Sequence, residues 1–316
     1  MEHVRARHPY LGGFLIRRLP RRPGRLLLLA ATAALSSSLA APRSVCGQWL
    51  EGTREGWVDS RIYYHDTTQE YGPDGETRDF FAGGHAITRS LYVTAATGIA
   101  RGLDTWVQVP IHFLTYNDAA ADRGETGFGD LRLFLRLDPS LVGLATFPLA
   151  VRGGIKIPAE AFPEDTEVIP LNEGQVDLEL FLETGHSFHP APVYAMGWLG
   201  YRWRLARGDV RDPGDELLLY AATGGDIGAR WLWKLALEGL WGATPLIDRV
   251  PVENARRRMV QIFPTIGFRL GPGAVDVGGR IPLSGRNLPA GPALVVGYFI
   301  RWDASRDPPP VPTSAR

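Results

Sequence analysis

The sequence predicts an all-β protein: a single antiparallel transmembrane β-barrel of about 12 strands with an N-terminal signal peptide. Three observations predict it. Apolar and charged residues alternate with a period of two in many segments, these segments run about 10 residues, and long and short connections alternate between them. The composition agrees, because 37 Gly and 25 Pro among 316 residues favour turns over long helices.

Charge and cysteine content exclude several other classes of protein. The chain carries 34 basic and 34 acidic residues, so it lacks the net basic charge of a nucleic-acid-binding domain. Cys46 is the single cysteine, which excludes an internal disulfide framework and a cysteine-based zinc cluster. The histidines show no spacing typical of metal ligands, and we expect no metal and no cofactor.

The first 40 residues have the three parts of a secretory signal peptide. An arginine-rich stretch precedes the apolar run 26–39, and small residues follow around Ala40. The run is shorter than the about 20 residues that a spanning helix needs. We therefore expect a signal peptide at 1–40 and an N-terminal periplasmic segment at 41–55. Cleavage after Ala40 would retain Cys46, and cleavage after Gly47 would remove it.

The strand pattern is clearest in the segment 131–137, which has Leu at every odd position and Arg132 and Arg136 on the other face. A strand separates such residues onto two faces, whereas a helix would scatter the charges. The same argument predicts the barrel domain over 56–302. Its predicted strands are 56–65, 89–100, 104–115, 128–138, 147–157, 175–187, 193–205, 215–225, 230–243, 257–270, 274–282 and 292–302.

The connections predict which end of the barrel each strand faces. Long polar stretches such as 66–88 alternate with tight turns such as 101–103, and another long loop is expected at 116–127. Outer-membrane barrels have short periplasmic turns and longer external loops. An even number of strands places both termini on the short-turn side. The first strand should pair with the last, because an open edge in hydrocarbon leaves backbone groups unpaired.

The apolar faces are predicted to contact lipid, since so many strands enclose a cylinder too wide for Leu and Val to fill. The faces 107–113, 260–268 and 294–300 are nearly free of charge on alternate residues. Aromatic residues near strand ends suggest interfacial girdles. They are Trp57, Tyr63, Tyr64, Trp106, Trp203, Trp231, Trp233, Trp241 and Trp302.

The polar faces should then line the lumen, with basic residues in excess of acidic ones. Two interpretations remain open: ion pairs that brace the wall, and a solvated conduit that slightly favours anions. The predicted lumen-lining residues are Asp59, Arg61, His112, Arg132, Arg136, Arg152, Lys156, Asp177, Glu179, Glu183, Arg202, Arg204, Lys234, Glu238, Arg269, Asp276, Arg280 and Arg301.

The stretch Gly127-Phe128-Gly129-Asp130-Leu131 is followed by Gly154-Ile155-Lys156-Ile157-Pro158 and then by Gly174-Gln175-Val176-Asp177. This order resembles the outer-membrane "transporter" barrels named after the meta-pathway of phenol degradation. In that motif Gly127 and Gly129 would let the chain turn into a strand, and Asp130 would satisfy local backbone donors. Ala159-Glu160 departs from the pattern, where a Gly usually follows the Pro.

The resemblance implies a channel or transporter in the outer membrane of a Gram-negative bacterium, for small molecules that include hydrophobic or aromatic ones. The alternatives are a non-transporting structural or surface barrel and an outer-membrane lipid hydrolase. We expect no enzyme, because His186 and Ser187 face opposite sides of a strand and His112 has no obvious Ser partner. Expected partners are outer-membrane lipid, the barrel-assembly machinery and a small solute, and not nucleic acid. The Pro-rich tail 303–316 should be disordered.

Overall fold

The computed structural model describes residues 50–143, 148–159, 168–206 and 211–303. The predicted signal peptide, residues 41–49 and residues 304–316 lie outside this part of the chain. Twelve long strands form the wall, and the fourth is interrupted at Gly129. They are β1 Gly56–Thr67, β2 His85–Ala100, β3 Leu103–Asn117, β4 Asp122–Phe128 with Asp130–Leu137, β5 Leu149–Pro158, β6 Asp177–Ser187, β7 Val193–Arg204, β8 Glu216–Ile227, β9 Trp231–Gly242, β10 Arg258–Leu270, β11 Gly273–Arg286 and β12 Ala293–Trp302.

The sheet is antiparallel and closed. Each strand pairs with its neighbours in sequence, and β1 pairs with β12 in a register that places Gly56 opposite Trp302. Closure satisfies the backbone of both terminal strands, as a wall in hydrocarbon requires. The predicted fold class is confirmed. Both ends of the barrel sequence lie at the short-turn end; the opposite end is called the long-loop end below.

The third connection differs from its prediction. Residues 122–128 belong to β4 and pair with β3, with Asp122 opposite Asn117, so only 118–121 connect the two strands. The expected long loop at 116–127 was wrong. The reason is that Gly124 and Gly127, together with charged residues on both faces, hide the apolar alternation that marks a strand elsewhere. Strand β11 likewise extends beyond the predicted residue 282, to Arg286.

The outer face of the wall is an apolar band. On β4, Leu133 and Leu135 are 42% and 54% exposed, although they lie in the middle of the sheet. Apolar residues on β6, β10 and β12 are exposed in the same way, as Leu180, Ile266 and Leu294 show. Water would penalise such a surface, whereas lipid does not. The predicted outward faces are thus confirmed.

The aromatic residues divide between the two faces. Trp203, Trp231 and Trp302 are exposed on the outside, as the girdle prediction requires. Trp57 and Trp106 instead lie inside the barrel, with ring centroids 5.1 Å apart in an edge-to-face contact. Tyr63 also lines the interior. These three assignments were wrong, because strand parity places the rings on the same face as polar inward residues such as Asp59 and Gln108.

Two small sheets form at the long-loop end. One contains Gln69–Tyr71, Thr77–Asp79 and Leu288–Pro289, and the other contains Arg211–Asp212, Leu246–Ile247 and Val250–Pro251. Short 3₁₀ turns occur at Phe81–Gly83, Pro139–Val142 and Glu253–Ala255. Among the described residues, no helix has both the length and the apolar character needed to cross a bilayer.

The segment that precedes β1 is held against the short-turn end. Thr53 forms a parallel bridge with Gly98, and the indole of Trp302 donates a hydrogen bond of 3.0 Å to the carbonyl of Arg54. Glu51 is only 3% exposed; its backbone N–H donates to Asp104 and its carboxylate pairs with Arg301 at 3.2 Å. Burial raises the pKa of Glu51, although Arg301 opposes that effect. The N-terminal segment therefore contributes a carboxylate to the lumen.

Candidate functional site: the barrel lumen

The barrel encloses two cavities that meet inside the wall. The main cavity has a volume of about 1240 Å³, and the smaller one, at the short-turn end, has a volume of about 360 Å³. Four residues line both: Arg61, Tyr194, Lys234 and Phe299. They are called the constriction below. Any molecule that moves from one cavity to the other must pass these four side chains.

Arg61 of the constriction is fixed by two aspartates. Its guanidinium donates two hydrogen bonds to Asp276, at 2.9 and 3.0 Å, and its Nε donates to Asp59 at 2.6 Å. Asp59 lies on the same strand, whereas Asp276 lies on β11, which is separated from β1 by β12. A planar guanidinium suits such a two-pronged contact with a carboxylate. Arg61 therefore has little freedom to swing into the cavity.

Gly297 makes this contact across a strand possible. It lies on β12 opposite both Arg61 and Asp276 in the strand register. A Cβ at position 297 would lie 3.1 Å from both Arg61 Nη1 and Asp276 Oδ1. The missing side chain leaves the space through which the ion pair crosses β12.

Lys234, the other cation of the constriction, is not paired. Its ammonium lies 5.1 Å from the ring centroid of Phe263. Within the described part of the chain it has no carboxylate oxygen within 4.0 Å and no hydrogen-bond partner, and its neighbours Asp59 and Asp276 both bond to Arg61. Three N–H donors on Lys234 thus remain available where the two cavities meet.

Charged side chains are densely packed on the other side of the lumen, at the long-loop end. Lys156 is 0% exposed, and its ammonium lies 3.1 Å from Asp130, 2.5 Å from Glu173 and 2.9 Å from Asp177. Asp130 also accepts a hydrogen bond from the backbone N–H of Glu173. One buried cation therefore joins β4, β5, β6 and the loop before β6.

The same cluster continues through three arginines. Arg202 donates to Glu179 at 2.6 Å and to Glu216 at 2.7 Å, and Arg257, in the loop before β10, bonds to both Glu216 and Glu173. Arg204 lies 3.1 Å from Glu173. We call the whole set the ionic cluster. Its members are Asp130, Lys156, Glu173, Asp177, Glu179, Arg202, Arg204, Glu216 and Arg257.

Two loop residues of the ionic cluster have shifted pKa values. Burial would raise the pKa of Glu173, but Arg257, Lys156 and Arg204 outweigh it and hold the pKa well below its ordinary value. Burial would lower the pKa of Arg257, but Glu173 and Glu216 outweigh it and raise the pKa. Each group therefore stabilises the charged form of the other.

A second group of charges lies nearer the short-turn end, among aromatic rings. Arg136 pairs with Asp104 at 2.6 Å, and Arg152 donates to Glu183 at 2.5 Å. The Arg152 guanidinium also lies 4.2 Å from the ring centroid of Phe181, and it lies 4.8 Å from those of Trp106 and Phe134. Cation–π contacts of this kind stabilise a desolvated cation.

The structure places the predicted lumen residues in four settings. Asp177, Glu179, Arg204 and Lys156 belong to the ionic cluster, and Arg269 lies outside both cavities, where it pairs with Asp226 at 2.8 Å and is 43% exposed. Asp276 lines the smaller cavity. The rest line the main cavity, and Arg202 among them also belongs to the ionic cluster: Asp59, Arg61, His112, Arg132, Arg136, Arg152, Glu183, Arg202, Lys234, Glu238, Arg280 and Arg301.

The motif glycines have specific surroundings. Gly127 lies opposite His112 in the register, and a Cβ at Gly129 would collide with the His112 ring. Asp130 accepts from the distant N–H of Glu173. The expectation that Asp130 satisfies local donors was therefore wrong, because this residue already lies within a paired strand.

Several lumen residues were missed by the sequence analysis. Asp104 could have been found, because it lies on the same face of its strand as Trp106 and Gln108. Glu216 shares its face of β8 with apolar residues, so the alternation of residues does not mark it as a lumen residue. The inward rings Phe134 and Phe181 alternate with charges, so parity could also have placed them inside. Glu173 and Arg257 lie in loops, where periodicity gives no information.

His112 does have a serine partner, contrary to the expectation. The Ser90 hydroxyl and His112 Nδ1 are 2.7 Å apart, since the two residues lie opposite each other on β2 and β3. Ser90 is 2% exposed. Among the described residues, no cluster of His, Cys, Asp and Glu has the geometry of a metal site.

Comparison with known proteins identifies the fold. No protein-family model and no curated protein matches the sequence. The structure of the COG4313 outer membrane channel from Pseudomonas putida F1 is similar, with a TM-score of 0.66 and 14% identity over 82% of this chain and 100% of that one. The chain has the fold of an outer-membrane barrel. Together with the apolar outer band, this places it in the outer membrane.

Two further solved structures are less similar. The CymD monoaromatic hydrocarbon channel has a TM-score of 0.43 and 7% identity, over 80% of this chain and 89% of that one. The translocator domain of the autotransporter NalP from Neisseria meningitidis has a TM-score of 0.45 and 11% identity, over 88% and 96%. Neither similarity is close enough to carry an argument about this chain.

Proposed function

We propose that this barrel is a channel for small molecules across the outer membrane. The main support is the pair of cavities, about 1240 and 360 Å³, that meet at the constriction within a closed wall. Sites of this size accommodate small organic molecules. The similar structure from Pseudomonas putida F1 is itself described as an outer membrane channel. Passage needs no chemistry from the wall, only a solvated path.

The interior favours amphipathic molecules with a ring or a short apolar body. Rings of Trp57, Trp106, Phe134, Phe181 and Phe263 line the main cavity beside charged groups. Flat apolar molecules pack well on such rings, and polar substituents can meet the charges between them. These features support the passage of aromatic or hydrophobic solutes, the class that the family resemblance implies.

Two neighbouring residues on β3 test the channel. Gln108 lines the main cavity, and Val109 lies on the opposite face of the strand. We would refold Gln108→Cys and Val109→Cys proteins, each with Cys46→Ser, and record single-channel currents before and after a bulky methanethiosulfonate reagent. The reagent should reduce the conductance of the Gln108→Cys protein and leave that of the Val109→Cys protein unchanged. Silent bilayers with the unmodified protein would refute the channel.

A structural barrel without transport is the second candidate, and the ionic cluster favours it. Nine charged residues joined across five strands brace the wall strongly. Deletion of the protein should then weaken the outer membrane against detergent without altering solute uptake. The opposite pattern, slower uptake of small aromatic compounds with an intact detergent barrier, is expected for the channel.

We propose no hydrolase activity. The Ser90 hydroxyl that bonds to His112 is buried and turned inward, away from the lipid that an outer-membrane lipase would attack. Incubation of the refolded protein with labelled phospholipid should release no fatty acid. Release that disappears in Ser90→Ala would contradict this.

The ends of the chain complete the proposal. Residues 1–40 would direct export as a signal peptide, 41–55 would remain in the periplasm, and 56–302 would form the barrel. The assembly machinery would recognise the last strand, with Phe299 and Trp302, rather than the Pro-rich tail at 303–316. Deleting 304–316 should therefore leave assembly intact, as judged by heat-modifiable migration of the protein from isolated outer membranes.

A further inference from the structure

The cations of the main cavity outnumber the carboxylates available to pair with them. Each of the five carboxylates that line this cavity has a cationic partner at 2.5–3.2 Å. They are Glu51, Asp59, Asp130, Glu183 and Glu238. In contrast, Arg132 and Lys234 line the cavity with no ion pair or hydrogen bond among the described residues. The unmatched charge in this lumen is positive.

Of these two cations, Lys234 occupies the position that a passing molecule cannot avoid. It belongs to the constriction, where both cavities meet. The neighbouring carboxylates of Asp59 and Asp276 bond to Arg61, and they leave the Lys234 ammonium able to bind another anion.

Apolar surface lies directly beside this ammonium. The ring centroid of Phe263 is 5.1 Å from Lys234 Nζ, and the rings of Tyr194 and Phe299 belong to the same constriction as Lys234. A ligand that fits needs a negative group of modest size, with an apolar body attached to it. A carboxylate on a ring or a short chain meets both requirements, because an ammonium binds a carboxylate without demanding a planar fork.

We propose that Lys234 is a binding site for the carboxylate of small organic anions, aromatic monocarboxylates above all, and that the neighbouring rings contact their apolar body. The site rests on the proposed channel function and gives it a substrate class. The carboxylate exchanges its water for the Lys234 donors at the constriction and leaves into the second cavity. Binding through a single ammonium is weak enough to permit release.

The test uses benzoate and benzyl alcohol, which share a ring and differ in charge. We would measure binding of each to the refolded full chain in detergent by calorimetry or by ligand-observed NMR. Benzoate should bind at least about tenfold more tightly than benzyl alcohol, because a hydrogen bond to a charged group contributes that much or more. Equal binding of the two, or no saturable binding of benzoate, would overturn the proposal.

Three variants locate the site. Lys234→Gln should weaken benzoate binding about tenfold or more, whereas Lys234→Arg, which keeps the charge, should retain it. Arg269→Gln is the matched control, because it removes one positive charge outside both cavities and should bind within about twofold of the unmodified chain. Unchanged benzoate binding in Lys234→Gln would assign the anion to another cation and overturn the proposal.

Currents in planar bilayers separate this proposal from the channel itself. Under a salt gradient the reversal potential should show preference for chloride, and Lys234→Glu should shift it towards potassium. Benzoate binding without any conductance would refute the proposed channel function but would support the proposed binding site. Conductance without benzoate binding, and with a reversal potential that Lys234→Glu does not change, would leave the channel and refute the site.

Discussion

The two sides of the lumen hold their charges in opposite ways. In the ionic cluster every cation contacts two or more carboxylates, and Lys156 and Glu216 are almost completely buried. At the constriction Arg61 is matched, but Lys234 faces the cavity alone. A buried charge must be paired, whereas a solvated one need not be. The cluster therefore serves the wall, and the constriction is available to a solute.

The largest effect on stability is expected for Lys156→Met in the ionic cluster. Three carboxylates, those of Asp130, Glu173 and Asp177, would lose their shared cation within a site where it is 0% exposed. Removal of one partner from a buried ion pair costs about 3–5 kcal/mol. We expect a much lower midpoint of unfolding in denaturant, followed by tryptophan fluorescence in detergent. A change below about 1 kcal/mol would mean that water reaches the cluster.

A smaller effect is expected at the edge of the constriction. Gly297→Leu fills the space through which Arg61 reaches Asp276, so Asp276 loses its partner while Arg61 keeps Asp59. The expected loss is about 1–3 kcal/mol of stability, the cost of one unsatisfied buried group. The denaturation midpoint measures it. Gly153→Leu on β5 is the control, since nothing lies within 4 Å of the position its Cβ would occupy.

The pH dependence distinguishes the two sides further. In the folded protein the pKa of Glu173 lies below its ordinary value of 4.5. As the pH falls, the Glu173 carboxylate is therefore protonated in the unfolded chain at a higher pH than in the folded protein. The stability that Glu173 contributes is complete above about pH 4.5 and is lost at lower pH. Glu173→Gln should reduce this loss of stability between pH 6 and pH 3, as measured by thermal unfolding at each pH. If the variant loses as much stability at acid pH as the unmodified protein does, a group other than Glu173 causes that loss.

The smallest effect is expected for Lys234→Met. This ammonium has no ion pair among the described residues, so its removal leaves no buried carboxylate without its hydrogen-bonded partner. Stability should change by less than about 1 kcal/mol. The same lysine-to-methionine change thus separates a structural cation, Lys156, from a free one. A loss for Lys234→Met as large as that for Lys156→Met would erase the distinction between the two sides.

The sequence predicted the wall better than the lumen. Leu133 and Leu135 alternate with Arg132 and Arg136, and that pattern was enough to place lipid and interior on the correct faces. Lipid exposure imposes this regularity on every strand, so local periodicity carries the information. The β3–β4 connection was missed because residues 122–128 extend beyond the apolar band and have no lipid-facing side to reveal the strand.

The pairing of charges could not be predicted in the same way. Arg257 and Glu173 are 84 positions apart and both lie in loops, yet they are joined by a hydrogen bond of 2.7 Å. Such contacts depend on how the loops fold back over the barrel, which no period in the sequence records. The sequence also does not show which cations stay unpaired, because Lys156 and Lys234 both alternate with apolar neighbours on their strands.

The outer half of β4 is an edge strand among the described strands. Asp122–Phe128 pairs with β3 on one side, and no other described strand pairs with it, so this half of β4 is an edge strand at the long-loop end. An edge strand of this kind is a template on which a neighbouring copy can add a strand. Asp122, Arg123 and Glu125 place charge along this edge, and Gly124 lowers its β-propensity. We therefore expect barrels that lie side by side in one membrane not to pair through this edge.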